Sequence, residues 1–271
     1  MRMAFQGTAG AYSEAAALAV WPQAETLPFE RFEDVFAAVA AGRASHGILP
    51  VENSVGGSIH RNYDLLLEHG LPIVAETELT VVHSLLALPG TPLSAIKRVF
   101  SHPQALAQCE RYLQTLPGVE VVATYDTAGS AQMIRDQALT DTAAVASSRA
   151  AEIFGLEILR AGIQDYADNI TRFVLIAREP EPLGTPDKTT LAFALHNEAG
   201  ALFKALSVFA LRGIDLTKLE SRPDRGRPWE YFFYVDLGVG RDDPRCGRAI
   251  EHLTEFARWV RDLGSYPRCM P

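Results

Sequence analysis

Cysteine is scarce in this chain, with Cys109, Cys246 and Cys269 the only three in 271 residues. Their spacing fits no CxxC pair and no metal cluster. The seven histidines form no HxxxH or HExxH arrangement. No metal is expected, and no motif asks for a cofactor. Long apolar runs are also missing. No stretch approaches the ~20 apolar residues of a membrane span. Met1 to Gly7 contains no apolar core of the kind a signal peptide has. The expectation is a cytoplasmic protein that does not engage a membrane. Positive charge is in short supply too, and the net charge is −8 at pH 7. Without a basic face the chain is a poor nucleic-acid binder. The overall field repels an anionic ligand, so a few local donors must attract it.

What is present is ordinary for a globular protein, with 48% hydrophobic and 21% charged residues. The length suits about two domains. Strand-like and helix-like stretches alternate through the first ~180 residues, which predicts an α/β domain with a mostly parallel sheet. FQGTAGAYS at 5–13 reads as a Gly-rich turn into an Ala-rich helix over 13–20. A helix start of this kind offers free N–H groups to a carboxylate. Helical spacing is expected over 32–40, around 62–69 with Ser58 as N-cap, from Pro103 through Cys109 to Leu113, and over 127–138. Cys109 reads as a small buried apolar group. Three prolines and a glycine in 178–186 mark a linker. Beyond it, strands at 189–196, 214–220 and 231–237 and helices at 200–211 and 245–263 are followed by an edge strand starting at Tyr266. That order, β-α-β-β-α-β, is ferredoxin-like.

Three polar loops stand at strand ends, where α/β folds usually keep ligands. The first is Glu52-Asn53-Ser54, followed by Gly56-Gly57. The second is Ser101-His102-Pro103-Gln104. A capping box accounts for Ser101 there, but not for His102. The third is Asp168-Asn169-Ile170-Thr171-Arg172-Phe173, which opens an apolar strand. Turn chemistry and a surface ion pair explain these six residues as well as a ligand site does.

Taken in order, FQGTAGAYS, GILPVENSVGGSI, VFSHPQALAQC and NITRF, then HNEAGALFKAL at 196–206 and LTKLESRP at 216–223, resemble prephenate dehydratase with a C-terminal ACT domain of the phenylalanine-responsive type. The resemblance covers nearly the full length. It departs from the usual pattern at Thr8, where proline is common, at Ala11, where threonine is common, and at Asn62-Tyr63, where Thr-Leu is common. It implies a catalytic domain over 1–178, built of two subdomains like type II periplasmic binding proteins with the site in the cleft. A linker at 179–188 and an ACT domain at 189–271 follow. No further catalytic domain is expected before Met1 or after the sensor.

The implied reaction takes prephenate to phenylpyruvate, carbon dioxide and water. Aromatisation drives it, so the enzyme must mainly orient the ring and help hydroxide leave. The resemblance points to Thr171 as the catalytic hydroxyl, by proton donation or by hydrogen bonding alone. Arg172 suits a substrate carboxylate or an inward ion pair. Phe173 reads as packing beneath the site. Asn53, Ser54, Ser101 and Asn169 are candidate donors to substrate oxygens, with His102 and Gln104 beside them. Glu52 reads as a positioning group. In the second domain, Asn197, Gly200, Ala201 and Leu202 at a helix start, with Glu220, Ser221, Arg222 and Pro223, are expected to hold L-phenylalanine as feedback effector across a homodimer or homotetramer interface. Two other readings stand beside this one: arogenate as substrate, with an amine in place of the keto group, and a non-catalytic amino-acid-responsive binding protein.

Overall fold

The computed structural model describes residues 1–224 and 226–268, so Cys269 lies outside the described residues. Two compact units emerge, residues 1–62 with 77–173, and 63–76 with 174 onward. Elements in the first part of the chain are β1 (Arg2–Gln6), α1 (Tyr12–Val20), β2 (Glu25–Phe29), α2 (Phe32–Ala40), β3 (His46–Asn53), β4 (Gly57–Ser58), α3 (His60–His69), β5 (Ile73–Thr80), β6 (Ser84–Ala87) and β7 (Arg98–Ser101). Then come α4 (Pro103–Ala107), α5 (Glu110–Gln114), β8 (Glu120–Ala123), α6 (Thr127–Asp136), β9 (Thr142–Ala146), α7 (Ser148–Phe154), β10 (Glu157–Ala161) and β11 (Ile170–Ala177).

These strands form two sheets rather than one. One has the order β2-β1-β3-β11-β5, with β4 hairpinned onto β3, and the other β10-β6-β9-β7-β8. Pairing is parallel for β1 with β2 and β3, and for β7 with β8 and β9, but antiparallel where β6 meets β9 and β10. Met3, Ala4 and Phe5 are all fully buried. A central parallel strand covered on both faces has this continuous apolar character. Burial of a side chain such as Phe5 is worth roughly 1.5–3 kcal/mol.

The helix expected to run from Pro103 through Cys109 to Leu113 is interrupted at Cys109. The Gln108 carbonyl accepts from the Asp165 N–H at 2.7 Å, and the Asp165 carboxylate accepts from the Arg111 N–H at 3.2 Å. One loop thereby takes an acceptor from α4 and caps α5. Ser58 lies in the β3–β4 hairpin, paired with Glu52, and α3 starts two residues later at His60.

The second unit contains β12 (Lys188–Leu195), α8 (Ala201–Ala210), β13 (Leu216–Pro223), β14 (Tyr231–Leu237), α9 (Pro244–Thr254) and β15 (Ala257–Tyr266). The sheet order is β13-β14-β12-β15, so the βαββαβ pattern holds. The helix expected over 245–263 ends at Thr254. Residues 257–266 instead form a ten-residue strand, β15, antiparallel to β12. Trp259 and Val260 favour a strand, and tertiary pairing overrides the weak helical pattern. One face of this sheet is hydrocarbon: Leu191, Phe193, Val235 and Leu237 pack on Ala205, Phe209, Ala249 and Leu253. The polar groups belong to the other face, and residues 63–76 meet them. Lys188 Nζ lies 2.8 and 2.7 Å from the two Glu76 oxygens. Arg222 pairs with Asp64 at 2.8 Å, and Tyr234 donates to the Tyr63 carbonyl at 2.9 Å. Gly264 has φ 140°, and a Cβ there would sit 2.3 Å from the Ile73 carbonyl oxygen, so only glycine fits.

Candidate active site

In the first unit the carboxyl ends of β1, β3, β7 and β8 lead into one cavity of about 430 Å³, and the start of β11 enters it as well. The Gly-rich turn after β1 is built to a tight tolerance. Gly10 has φ 88°, and a Cβ there would lie 2.9 Å from Ala150 Cα. Buried Glu14 accepts from the Gly10 N–H at 2.8 Å, from Thr26 Oγ1 at 2.9 Å and from Arg149 Nε at 3.2 Å. That carboxylate fixes where α1 starts. Tyr12 and Ser13 from this start line the cavity, as do Asp126 and Thr127 from the start of α6. Helix N-termini attract anions through free N–H groups and the helix dipole. The lining contains no lysine or arginine among the described residues.

A chain of neutral polar groups backs the cavity, and its polarity follows from one end. Asn53 Oδ1 accepts from the Val55 and Gly56 N–H groups at 3.1 and 2.7 Å. Backbone donors therefore fix the Asn53 amide. Its Nδ2 protons must go to Asn169 Oδ1 at 2.7 Å, the Ile170 carbonyl at 3.2 Å and Thr171 Oγ1 at 3.0 Å. Gln108 Nε2 donates to Asn53 Oδ1 at 3.3 Å, and Gln108 Oε1 accepts from Asn169 Nδ2 at 3.0 Å. His83 Nε2 lies 2.9 Å from that same Oε1, so the imidazole proton belongs on Nε2. Nδ1 then lies 2.9 Å from the Tyr12 hydroxyl, whose one proton also faces the Val82 carbonyl at 2.8 Å. Burial holds His83 below its ordinary pKa, against the opposing effect of its hydrogen bond to Gln108. Burial also raises the Tyr12 phenol, and it raises the Cys109 thiol to about 12. The outcome is at Thr171, which is 7% exposed. Its oxygen already accepts from Asn53, and its own proton is left for another acceptor.

Asn53, His102, Gln104, Thr171 and Phe173 line the cavity as a set. Asn169 stands behind them in the hydrogen-bonded chain. Of the two readings of Arg172, the structure shows the inward ion pair, and neither Arg172 nor Glu52 is among the described lining residues. Successive strand residues face opposite ways, so Thr171 and Phe173 reach the cavity while Arg172 turns from it. Arg172 instead pairs with Glu52 at 3.1 Å. Ser54 is not a lining residue either. Its hydroxyl donates to the Asp168 carbonyl at 2.6 Å and accepts from the Ile170 N–H at 2.9 Å, tying the two loops together. Ser101 is fully buried, with its hydroxyl donating to the Val145 carbonyl at 2.6 Å. It does not cap α4. His102 does, with Nδ1 accepting from the Gln104 N–H at 3.2 Å.

Sequence reasoning missed Tyr12, His83, Gln108 and Asp126. Gln108 had a usable signal, since it follows Gln104 by four residues. In the second unit Gly200 adopts φ 80° before α8, with Asn197 exposed and Ala201 and Leu202 in the first turn. Glu220 pairs with Lys218 at 3.1 Å, and Arg222 with Asp64, while Ser221 and Pro223 are exposed.

A two-sheet α/β unit with a ligand-sized polar cavity, followed in the chain by a βαββαβ module, defines a two-part α/β protein with a ferredoxin-like second module. Residues 3–181 match the prephenate dehydratase family and residues 189–250 match the ACT domain. The chain belongs to the prephenate dehydratase family. It is 51% identical to arogenate dehydratase 1 of Petunia hybrida, over all of this chain and 68% of that protein. It is 50% identical to the chloroplastic arogenate dehydratase/prephenate dehydratase 6 of Arabidopsis thaliana, over all of this chain and 70% of the relative. Among solved structures, a prephenate dehydratase from Arthrobacter aurescens in complex with L-Phe superposes with TM-score 0.91. The two are 34% identical, over 99% of this chain and 90% of that one. A quorum-quenching acylase, GqqA, superposes with TM-score 0.90 at 39% identity, over 99% and 98% of the two chains.

Proposed function

We propose that the chain catalyses the decarboxylating dehydration of prephenate to phenylpyruvate, with Thr171 as the group that assists the leaving hydroxyl. The observation that carries this reading is the Asn53 Nδ2 to Thr171 Oγ1 hydrogen bond at the wall of the cavity. With its oxygen used as an acceptor, Thr171 keeps its proton to give to a ligand in a cavity edged by two helix N-termini. In the reaction the bond from the ring to its carboxylate breaks, and that electron pair enters the ring. The carbon–oxygen bond to the ring hydroxyl breaks in turn, and the departing oxygen takes a proton to leave as water. Thr171 donates a hydrogen bond to that oxygen as its charge develops, and such acid assistance is worth about 10²–10⁴-fold. Helix starts and neutral amides receive the substrate carboxylates. The acylase neighbour does not redirect this reading, since Thr171 and Ser101 bond to an amide and a carbonyl rather than to an imidazole. Assay of the purified protein with prephenate tests the proposal, with Thr171→Ser retaining turnover and Thr171→Ala losing it.

Regulation by L-phenylalanine belongs to the same reading. It is supported by the ACT match and by the effector in the Arthrobacter relative. The effector segments are Asn197 with Gly200–Leu202, and Glu220–Pro223, brought together in a homodimer or a dimer of dimers. Exposed Phe203 and Leu211, 76% and 81% accessible in the single chain, support self-association of this module. Light scattering with and without L-phenylalanine, read alongside activity, tests both points. The proposed location is cytoplasmic. Several relatives are named chloroplastic, and fractionation of the source cells decides between the two compartments.

A further inference from the structure

Tyr12, His83 and Gln108 can accommodate one more proton than a neutral imidazole supplies. His83 is 2% exposed and lines the cavity. Its Nε2 faces Gln108 Oε1 at 2.9 Å, and its Nδ1 faces the Tyr12 hydroxyl at 2.9 Å. That hydroxyl also lies 2.8 Å from the Val82 carbonyl. With the ring neutral and protonated on Nε2, the single Tyr12 proton has two acceptors to serve. With the ring doubly protonated, every group is matched. Nε2–H donates to Gln108, Nδ1–H donates to the Tyr12 oxygen, and Tyr12 donates to the Val82 carbonyl. The second proton enters at the opposite end of the hydrogen-bonded chain from Thr171. No bond from Gln108 onward has to change.

The described lining offers an anion no lysine or arginine, yet the substrate of the dehydratase reading carries two carboxylates. We propose that His83 is the latent cation of this cavity, a positioning residue that takes up a proton from solvent as the dicarboxylate substrate binds and balances its charge through Gln108 and Tyr12. This rests on the dehydratase reading and deepens it. In the free protein burial holds the ring below its ordinary pKa. A bound anion acts the other way, because an opposite charge nearby favours the protonated form. The elements packed on His83 bring little charge of their own. The start of α1 brings Tyr12, with its ring edge-on at 5.5 Å. The end of α4 brings Gln108 and then Cys109, whose thiol is raised to about 12 and stays uncharged. The segment after β10 brings Gln164, which accepts from the His83 N–H at 3.1 Å, and then Asp165, which accepts from the Arg111 N–H. On β10 itself Glu157 and Arg160 are exposed to solvent. The remaining titratable lining groups are His102, Tyr125 and Asp126. Tyr125 donates to the Glu30 carbonyl, His102 caps α4 and Asp126 caps α6. An anion also drives His102 and Asp126 toward protonation, so the test must separate them from His83.

The test is calorimetric titration of prephenate into the Thr171→Ala protein, in which turnover is slowed, in phosphate and in Tris. The dependence of the heat on the ionisation enthalpy of the buffer counts protons. At about pH 7, uptake approaching one proton per site is expected. Affinity should rise by up to about tenfold for each unit that pH falls from about 8 toward 6.5. Addition of His83→Gln should abolish both effects. Tyr12→Phe keeps the ring but removes the Nδ1 partner and should lose most of the uptake, which gives the same reading if His83→Gln fails to fold. His102→Asn and Asp126→Asn keep the caps those residues make and should each leave the uptake in place. Loss with His83→Gln and Tyr12→Phe alone supports the assignment. Binding without proton uptake, or any other pattern of loss, overturns it and leaves the dehydratase reading standing. A chain that does not bind prephenate as Thr171→Ala and does not turn it over as wild type overturns that reading and this proposal with it.

Discussion

The two units bury polar groups in opposite ways. Behind the cavity of the first, Asn53, Asn169, Gln108, His83, Tyr12 and Thr171 form a neutral chain, oriented from the Val55 and Gly56 backbone. On the polar face of the second, the charged groups are held as ion pairs, Lys188 with Glu76 and Arg222 with Asp64. A neutral chain has direction but no net charge. It can aim one proton while leaving the cavity open to an anion. An ion pair has no such direction, and its main property is that neither partner tolerates being left alone in a low dielectric. The first device suits chemistry, and the second suits holding segments in place.

The sharpest break in this comparison is at Thr171. Thr171→Ala should lower kcat by about 10²–10⁴-fold, with little change in the thermal midpoint, and Thr171→Ser should recover most of it. Asn53→Asp should mimic that loss with Thr171 intact. The new carboxylate still accepts from Val55 and Gly56 but has no proton to give Thr171. The Thr171 hydroxyl then turns to donate to residue 53, away from the cavity. Steady-state kinetics of the two single variants and the double variant check this. Near-equal losses in all three show that both substitutions remove the same directed proton, whereas multiplying losses separate them.

In the second unit the effect should be on stability. Glu76→Gln leaves the buried Lys188 ammonium without its charge partner, and removal of one member of a buried pair costs about 3–5 kcal/mol. The Glu76→Leu/Lys188→Met double variant should recover most of that loss, because an apolar pair has no charge to desolvate. Urea denaturation of the three proteins measures it. A single variant as stable as wild type would show the pair to be dispensable.

Sequence order made much of this legible. Six short motifs led to the family, and the order of strand-like and helix-like stretches led to the βαββαβ module; the resemblance then pointed to Thr171 within the Asp168–Phe173 run. The same run left two readings of Arg172 open, because a motif names residues without saying which strand face each one takes. His83 in the β5–β6 link, Gln108 at the end of α4 and Asp126 after β8 are far apart in sequence and acquire meaning only where these segments meet around the cavity. Asp165 shows why the helix through Cys109 was misread, since a loop more than fifty residues onward in sequence takes its carbonyl. β15 was misread because its pairing with β12 is invisible to helical periodicity.

The smallest expected effect bears on the neutral chain as a whole. His83 is held below its ordinary pKa by burial, and His46 and His102 shift the same way for the same first cause. An unfolded histidine takes up a proton near pH 6.5. Below that pH and above the depressed folded values, the unfolded chain binds more protons than the folded one. Stability must therefore fall as pH drops through this window and level off above about pH 7. The expected outcome is a urea midpoint that declines from pH 7.5 to 5.5. His83→Gln should flatten part of that decline, since glutamine carries no titrating proton. It also separates the two uses of His83. A flattened stability profile with kcat retained makes the imidazole a buried packing group. A flattened profile with kcat reduced, and no shift in KM, shows that its Nε2 proton helps to hold the amide chain that aims Thr171.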